Sequence, residues 1–323
     1  HSESSHDKLR TTIHSDNSKS IITYNESEDL NFDRSINAYR GCEHGCIYCF
    51  ARPTHAFLGL SAGLDFETQI YVKKNIDERL PQELSRKSYK CRPVMLGTNT
   101  DPYQPIERRY NNTRSILKIF LEYNHPVEIV TKSSLILRDL DIIKKLAERN
   151  LIKTTFSITT LSRDLSRQLE PRATTPNKRL EAMRLLSAEG VPVGVNFAPV
   201  IPALNDHELE EILRAASVAG ATNANYILLR LPLEVEKLFK EWLLTHVPEK
   251  ASHVLNRLRD FHGGKTYCSE YGQRQTGSGV SASILSKRFL LQTKKLGMNK
   301  NLSSLDSDQF RVPDQKNTQL KLF

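Results

Sequence analysis

The chain has 323 residues, of which 38% are hydrophobic, and this composition can build a sizeable core, which argues against a wholly disordered chain. Its formal net charge is +9, which modestly favours an anionic partner such as nucleic acid. The alternative is that the charge serves solubility alone. There is no run of about eighteen apolar residues and no leader with a charged start and an apolar centre. We therefore expect a soluble, cytoplasmic protein with no membrane partner.

The cysteines indicate a reducing compartment rather than a disulfide framework. Their number, five, is odd, and three of them are clustered. The other two, Cys91 and Cys268, are isolated and are expected to be bystanders.

Residues 1–30 are predicted to be a flexible N-terminal tail, because they are rich in Ser, His, Asn and charged residues and show no periodicity. From residue 31 to residue 248, short apolar runs alternate with amphipathic stretches of helical period. The predicted strands are Arg34–Tyr39, Pro93–Thr98, Val127–Thr131, Thr154–Thr159, Val191–Ala198 and Tyr226–Leu231, with Gln69–Val72 as an extra candidate. The predicted helices are Ile76–Ser85, Thr113–Tyr123, Leu140–Arg149, Lys178–Glu189, Glu208–Ala219 and Val235–Val247.

Two local signals mark helix starts in this region. Thr175 followed by Pro176 predicts a cap residue with proline at the first helical position. Asn205 and Glu208 fit a capping box, in which the Glu208 side chain returns to the cap.

Strands that alternate with helices predict an α/β fold with parallel strands and right-handed crossovers. After residue 248 this alternation stops. Residues 249–298 are predicted to be a C-terminal helical extension, in which a Gly-, Ser- and Gln-rich segment, Gly263–Gly279, forms a loop over the substrate. Its helices are Ala251–Phe261 and Ser283–Leu296. Residues 299–323 show no periodicity and are predicted to be a second flexible tail.

The most informative motif is the cysteine loop, which follows the first predicted strand and contains Cys42, Cys46 and Cys49. Three thiolates on one tight loop can hold three irons of a cubane iron–sulfur cluster and leave the fourth iron open to a ligand. The alternative is a structural zinc site that adds His44, His55 or Cys91 as a fourth ligand. Zinc sites usually show two paired ligand groups, and no second pair occurs in this sequence.

The spacing Cys-x3-Cys-x2-Cys, with Tyr48 before the third cysteine, resembles the radical S-adenosylmethionine (SAM) superfamily. Within it, the chain is similar to the branch related to spore photoproduct lyase, often described as DNA repair photolyase-like. The resemblance implies a partial (β/α)6 TIM-type barrel and a 4Fe-4S cluster whose open iron binds SAM. It further implies reductive cleavage of SAM to a 5′-deoxyadenosyl radical, with an electron donor such as flavodoxin or ferredoxin. Tyr48 is counted with the cofactor-binding residues.

In a βα barrel, active groups collect where the strands end. The second predicted strand ends in a polar run that includes Thr98, Asn99 and Asp101. These hydroxyl, amide and carboxylate groups are predicted to hold the SAM amino group or ribose. The alternative is an Asp-Pro turn with self-capping side chains.

Other strand ends supply further candidates for SAM binding. Lys132 and Ser157 match a lysine and a serine that contact SAM in proteins similar to spore photoproduct lyase. Asn196 lies in a segment that resembles the lining of the adenine pocket. Arg172 could bind the carboxylate of SAM as a fork. The alternatives are a surface lysine, a strand-end hydroxyl and a solvated arginine.

Arg230, at the end of the sixth predicted strand, is expected to reach the mouth of the barrel, where the strands end, and to contact the substrate. The alternative is an ion pair with Glu234.

One departure from the resemblance concerns the hydrogen-atom donor. Spore photoproduct lyase uses a cysteine on the second strand, and Thr98 takes that position here. A hydroxyl hydrogen is much harder to abstract than a thiol hydrogen, so Thr98 is not expected to replace it. Tyr48, Tyr103, Cys268 or an external thiol are alternative donors, and repair of thymine photoproducts is therefore in question.

The sequence ends in Gln319-Leu320-Lys321-Leu322-Phe323, which resembles the short peptide by which bacterial DNA enzymes dock on the replication sliding clamp. Leu322 and Phe323 would fill an apolar pocket, and Gln319 would bond at its rim. The alternative is a tail end that folds onto its own domain.

Together these features predict a radical SAM enzyme with a nucleic-acid substrate, such as damaged DNA. One alternative is a radical SAM enzyme that modifies RNA or a protein side chain. Another is a non-catalytic binding module that a metal stabilises.

Overall fold

The computed structural model describes residues 10–300 and 304–313. Its strands, β1 to β10 in chain order, are Thr12–Asp16, Thr23–Tyr24, Arg34–Ile36, Tyr39–Arg40, Gln69–Lys73, Val94–Leu96, Val127–Thr131, Ile152–Ile158, Val193–Val200 and Asn223–Leu228. Its α-helices, α1 to α11, are Asp65–Thr68, Ile76–Leu84, Glu107–Tyr110, Asn112–Tyr123, Leu140–Glu148, Arg163–Leu169, Pro176–Ala188, Leu209–Val218, Glu234–His246, Pro248–Phe261 and Gly279–Leu296. Short 3-10 helices cover Arg52–Leu58, Ser134–Asp139 and Asp206–Glu208.

The larger sheet has seven strands in the order β10-β9-β8-β7-β6-β3-β2. Six of them are parallel, and β2 pairs antiparallel with β3 at one edge. The parallel strands follow their order along the chain, with helical crossovers between them, so the predicted partial (β/α)6 fold is confirmed. The described sheet is open, because β10 and β2 lie at opposite edges.

The two faces of this sheet differ in character. Val127 and Ile129 of β7 are fully buried in the main core, which also contains Phe120 of α4. On β8, Phe156 is buried in the same core, whereas Ser157 faces the other way because side chains alternate along a strand. The face away from the helices therefore carries polar side chains near the carboxyl ends of the strands.

The extra strand at Gln69–Val72 is confirmed as β5, in a smaller sheet of order β1-β5-β4. β1 lies within residues 1–30, where a flexible tail was predicted, and pairs parallel with β5. Ile21 and Ile22 are also buried, and their N–H groups donate to Glu83 at 2.7 and 3.0 Å. The prediction of a flexible tail is therefore wrong for this part, because β5 and α2 provide partners for it.

The predicted C-terminal tail, residues 299–323, is likewise wrong for residues 304–313. The Phe310 ring lies 5.6 Å from the rings of Tyr89 and His125, and Leu305 is buried. These apolar contacts hold the segment against the barrel. The predicted clamp peptide at 319–323 lies outside the described residues.

One of the two predicted helix starts is correct. Thr175 is the extended cap residue of α7, and Pro176 is its first residue. The capping box at Asn205 is wrong, because the Glu208 carboxylate accepts hydrogen bonds from Thr160 Oγ1 (2.6 Å) and Leu161 N (2.7 Å) instead. Glu208 thus ties the end of β8 to the start of α8.

Residues 263–279, here called the strap, connect the two edges of the open sheet. The Leu228 N–H of β10 donates to Gln275 O at 2.7 Å. Arg274 donates to the Asp29 carboxylate (2.6 Å through Nε), and Asp29 lies between β2 and β3. The strap therefore spans the lateral opening between β10 and the β2–β3 connection. No helix in the described part of the chain is long and apolar enough to cross a membrane.

Candidate functional site

The cysteine loop follows β4 and is held by its own backbone. The Cys42 N–H donates to Phe66 O at 2.9 Å, and Cys42 and Cys46 are buried, while Cys49 is partly exposed. Gly45 has a φ of 67°, and a Cβ there would lie 2.6 Å from Glu67 Oε2. A residue with a side chain would therefore be strained and crowded at this turn.

Two arginines that the sequence interpretation had not placed together fix the shape of the loop. Arg52 is buried and donates to Cys46 O (2.9 Å), Gly45 O (3.3 Å) and Glu67 Oε1 (2.5 Å). Arg172 donates to the other oxygen of Glu67 and to Glu43 O. Glu67 thus joins both guanidinium groups behind the loop, and the carboxylate partner of Arg172 in this structure belongs to the protein.

The thiols sit in an environment that requires charge compensation. Burial raises the pKa of Cys46 to about 12, although Lys132 opposes the shift. Burial, together with the neighbouring Asp101, raises the pKa of Cys42 well above its usual range. Cysteine binds a metal as the thiolate, so the positive charge of a bound metal would compensate the negative charges that burial disfavours. Three thiols on one braced loop fit an iron–sulfur cluster.

Lys132 is the cation that lies next to this loop. Burial lowers the pKa of Lys132, but the negative charges of Cys46 and Glu170 outweigh this and raise it. Its Nζ lies 5.9 Å from the centroid of the Tyr48 ring. No residue in the described ranges forms an ion pair or hydrogen bond with the ammonium, so it is available to an anionic ligand.

A buried ion pair, which the sequence did not reveal, lies beneath Tyr48 and Lys132. The Glu170 carboxylate accepts hydrogen bonds from Tyr48 Oη, Thr159 Oγ1 (2.7 Å) and Arg179 Nη2. The side chains of Glu170 and Arg179 are 1% and 0% exposed. Burial raises the pKa of Glu170, but Arg179 and Lys132 outweigh it and hold the pKa below its usual value.

The Tyr48 hydroxyl is therefore bound within the protein, where it also meets Thr159 Oγ1 at 3.0 Å. What Tyr48 presents to Lys132 is the ring rather than the hydroxyl. The role predicted for Tyr48 in cofactor binding remains a prediction.

The polar segment after β6 is organised by Asn37. Asn37 Oδ1 accepts from the N–H groups of Asn99 (3.0 Å) and Thr100 (3.3 Å), and Asn37 Nδ2 lies 3.0 Å from Thr98 Oγ1. The segment begins at Gly97, where φ is 94° and a Cβ would lie 2.1 Å from Val130 O. Thr98 and Asn99 thus reach the mouth on a loop of fixed shape.

Asp101 acts as a brace between loops. Its carboxylate accepts from Thr131 Oγ1 (2.7 Å), Lys132 N (2.7 Å) and Tyr103 N (2.8 Å), and His44 Nδ1 lies 3.4 Å away. Burial alone would raise the pKa of Asp101, but His44, Lys132 N and Thr131 Oγ1 lower it to about 2. The contact with Tyr103 N is the self-capping turn that was considered as an alternative.

Ser157 and Asn196 lie side by side on the polar face of the sheet. Ser157 of β8 is in register with Asn196 of β9, which is in register with Asn225 of β10. These three side chains form no hydrogen bond with any other residue that the structure describes. Two of the predicted SAM-binding residues are therefore adjacent and free to bind a ligand.

The zinc alternative finds no support in the described ranges, where no three His, Cys, Asp or Glu side chains could hold one metal ion. His44 contacts Asp101, and His55 Nε2 lies 3.0 Å from Gln69 O. Cys91 precedes β6, at the amino end of the sheet. In a cubane each thiolate binds a separate iron, so that arrangement does not require such convergence.

The sequence missed most of the residues that brace the site, which are Asn37, Arg52, Glu67, Gln104, Glu170 and Arg179. Gln104, for example, donates to Gly41 O at 3.1 Å and accepts from Glu43 N at 2.9 Å. The available signal was the position of Arg179 on the helix face that also buries Ala182 and Met183, since a charge on a buried face requires a partner.

Residues 36–216 of the chain match the family model described as "Radical SAM superfamily". An uncharacterized protein of Mycobacterium tuberculosis is 38% identical over 225 residues, which are 69% of this chain and 66% of that protein. The chain thus covers slightly less than two thirds of the length of this relative. A radical SAM Nalpha-GlyT isomerase of Pseudomonas phage M6 is 24% identical over 282 residues, 77% of this chain and 56% of that protein.

Among solved structures, spore photoproduct lyase complexed with dinucleoside spore photoproduct superposes with a TM-score of 0.63. The match covers 88% of this chain and 80% of that chain, at 15% sequence identity. At this level of identity the likeness concerns the fold.

Proposed function

The chain belongs to the radical SAM superfamily, and on that premise we propose that it is an iron–sulfur enzyme that cleaves SAM reductively and acts on nucleic acid, with repair of a DNA lesion as its role. The observation that carries the proposal is the braced loop of three cysteines with the unpaired ammonium of Lys132 beside Cys46. The proposed location is the cytoplasm, where thiols stay reduced.

Cys42, Cys46 and Cys49 are the proposed ligands of a 4Fe-4S cluster. When bound, this group supplies the electron that cleaves the sulfonium of SAM to a deoxyadenosyl radical. An electron donor such as flavodoxin or ferredoxin would reduce it.

The protein's own contribution is charge and orientation. Lys132 is a free cation that can pair with the carboxylate of SAM. Ser157 and Asn196 can bond to its polar groups, while Thr98, Asn99 and Asp101 shape the opposite side of the mouth. Arg172 is assigned a bracing role, since Glu67 and Glu43 O already bind its guanidinium.

A nucleic-acid substrate is supported by the charge of +9 and by the shared fold with spore photoproduct lyase, whose structure contains a dinucleoside photoproduct. By the resemblance drawn from the sequence, Thr98 takes the position at which that enzyme uses a cysteine. We therefore propose a DNA lesion whose repair does not require a thiol at that position.

The experiment that tests the enzymatic proposal is anaerobic reconstitution of the full chain with iron and sulfide. We expect about four irons per chain, absorbance near 400 nm and reductant-dependent release of 5′-deoxyadenosine from SAM. The variant with Cys42, Cys46 and Cys49 changed to Ala should lose all three signals, whereas C268A, a matched cysteine variant, should keep them. Deoxyadenosine release by the triple variant would refute the assignment.

The substrate is tested with SAM labelled with deuterium at its 5′ carbon. DNA that carries ultraviolet lesions, RNA and a protein extract are incubated separately with the reconstituted enzyme. We expect label to exchange between deoxyadenosine and DNA alone, and exchange with RNA or protein alone would refute the DNA proposal.

Docking on the sliding clamp through Gln319, Leu320, Leu322 and Phe323 is a further part of the DNA proposal. It is tested by clamp pull-down with the full chain and with a chain that lacks the last five residues. Equal recovery of the clamp by both chains would refute docking through this peptide.

A further inference from the structure

Phe50 and Arg230 form a stacked pair at the mouth of the site. Phe50 directly follows the third cysteine, and Arg230 lies two residues beyond the end of β10. The guanidinium carbon of Arg230 lies over the Phe50 ring, 4.4 Å from its centroid. The Leu229 N–H donates to Val200 O at 2.9 Å, which fixes the chain next to Arg230 against β9. The pair therefore joins the cysteine loop to the edge strand.

The charge of Arg230 is not balanced by a glutamate, as the charges of three other arginines of the site are. Arg52, Arg172 and Arg179 each bind a glutamate. No ion pair or hydrogen bond to the Arg230 guanidinium is found in the described ranges, and its Nε is buried without a partner. The expected alternative, a pair with Glu234, is not formed. A buried donor without a partner costs free energy, which a bound anion would recover.

The aromatic half of the pair is also open to a ligand. The Phe50 residue is 38% exposed, although Arg230 lies over its ring. An aromatic ring beside an arginine is the combination by which proteins hold single-stranded nucleic acid, because the ring stacks on a base and the cation binds the adjacent phosphate. Bases that are flipped out of a duplex are held in a similar way.

We infer that Phe50 and Arg230 form a nucleotide platform, on which an unpaired base of the substrate stacks on Phe50 while its phosphate binds Arg230. This inference rests on the proposed nucleic-acid function and specifies which residues hold the reacting nucleotide. Its place directly after Cys49 would bring the base next to the site of radical formation.

The test uses the full chain and a short single-stranded DNA that contains one 2-aminopurine, whose fluorescence is quenched when the base stacks. For the wild type we expect quenching on binding. For F50A we expect roughly 5- to 150-fold weaker binding and loss of the quenching, as base–aromatic stacking predicts. F57A is the matched control, because Phe57 is 89% exposed on the segment that follows the cysteine loop. It should bind and quench as the wild type does.

The cation is tested by the salt dependence of binding. R230Q should lower the slope of log affinity against log salt by about one, whereas R230K, which keeps the charge but not the planar stack, should retain the slope. Iron content and melting temperature are measured for each variant, and F50L is used if F50A does not fold.

The outcomes separate the two proposals. Wild-type binding that F50A, F50L and R230Q leave unchanged would overturn the platform but not the nucleic-acid function. Failure of the wild type to bind the single-stranded DNA would also overturn the platform, whereas the nucleic-acid function is overturned only by the label-exchange experiment. Equal losses in F50A and F57A would also overturn the platform, because the effect would then not depend on the stacked pair.

Discussion

The buried pair of Glu170 and Arg179 should be a main support of the site, and R179M tests this. Arg179 donates to Thr174 O (2.6 Å), Ser157 O (2.7 Å) and Glu170, so its loss leaves a buried carboxylate without its principal partner. Removal of one member of a buried ion pair costs about 3–5 kcal/mol. That is a large part of the roughly 5–15 kcal/mol that stabilises a typical domain.

The loss should depend on pH in a defined direction. In the wild type, burial raises the pKa of Glu170, but Arg179 and Lys132 hold it below its ordinary value of 4.5. In R179M burial should dominate, so the pKa of Glu170 should rise. A carboxyl with a raised pKa in the folded state lowers stability as pH increases from its unfolded pKa through its folded pKa. R179M should therefore lose more stability relative to the wild type at about pH 8 than at about pH 5.

Urea unfolding of both proteins at these two pH values measures the difference. R184M is the matched control on the same helix, because Arg184 is 58% exposed and, among the residues that the structure describes, pairs with Glu181 alone. The double variant R179M/E170Q should recover part of the loss, since no unpaired charge remains buried. The reasoning is refuted if R179M unfolds at the same urea concentration as R184M, or if its loss of stability relative to the wild type is the same at both pH values.

Three further predictions concern neighbouring features. D101N should lower the free energy of unfolding by about 1–3 kcal/mol, because its amide NH2 would face the N–H donors that the carboxylate accepts. In the wild type, the stability that Asp101 contributes should be lost in acid unfolding only as pH falls from 3.8 toward 2. G97A should destabilise far more than G190A in thermal melting, since both glycines have positive φ but only Gly97 would place a Cβ 2.1 Å from Val130 O, and equal losses would contradict this. R274Q should speed proteolysis within the strap roughly 10- to 150-fold, as the loss of about 1.5–3 kcal/mol for a hydrogen bond to a charged group implies, and an unchanged rate would show that its ion pair does not hold the strap.

The sequence predicted the barrel well where strands were apolar and buried. Val127–Thr131 was found with its observed bounds, because alternate residues face the helical core. The last strand begins at Asn223, three residues before the prediction, since Asn223 and Asn225 are polar residues of an edge strand. β1 was missed because its Thr-Ile-His-Ser-Asp sequence has little apolar pattern, and its partner β5 lies more than fifty residues away along the chain.

The site was predictable only where chemistry is local in sequence. The cysteine loop was predicted from its spacing, and Ser157 and Asn196 from the family resemblance at the strand ends; the structure sets these two side chains side by side. The partner of Arg172 is Glu67, 105 residues away, and only the fold brings them together. Asp101 was predicted to bind a cofactor, yet its oxygens are occupied by groups from two other segments, Thr131–Lys132 and His44. Such bracing depends on tertiary distances, which periodicity does not contain.

The strap has a consequence for how fragments of this protein should be used. The family match covers residues 36–216, so it leaves out β10, Arg230, the strap itself and both residues that hold the strap, Leu228 at one edge of the sheet and Asp29 at the other. A truncated chain with those bounds would keep Cys42, Cys46 and Cys49 of the cysteine loop but would lack β10 and the strap at the open side of the sheet. Assays of substrate choice therefore need the polypeptide from residue 29 through residue 275, whose far ends meet through one carboxylate and one guanidinium.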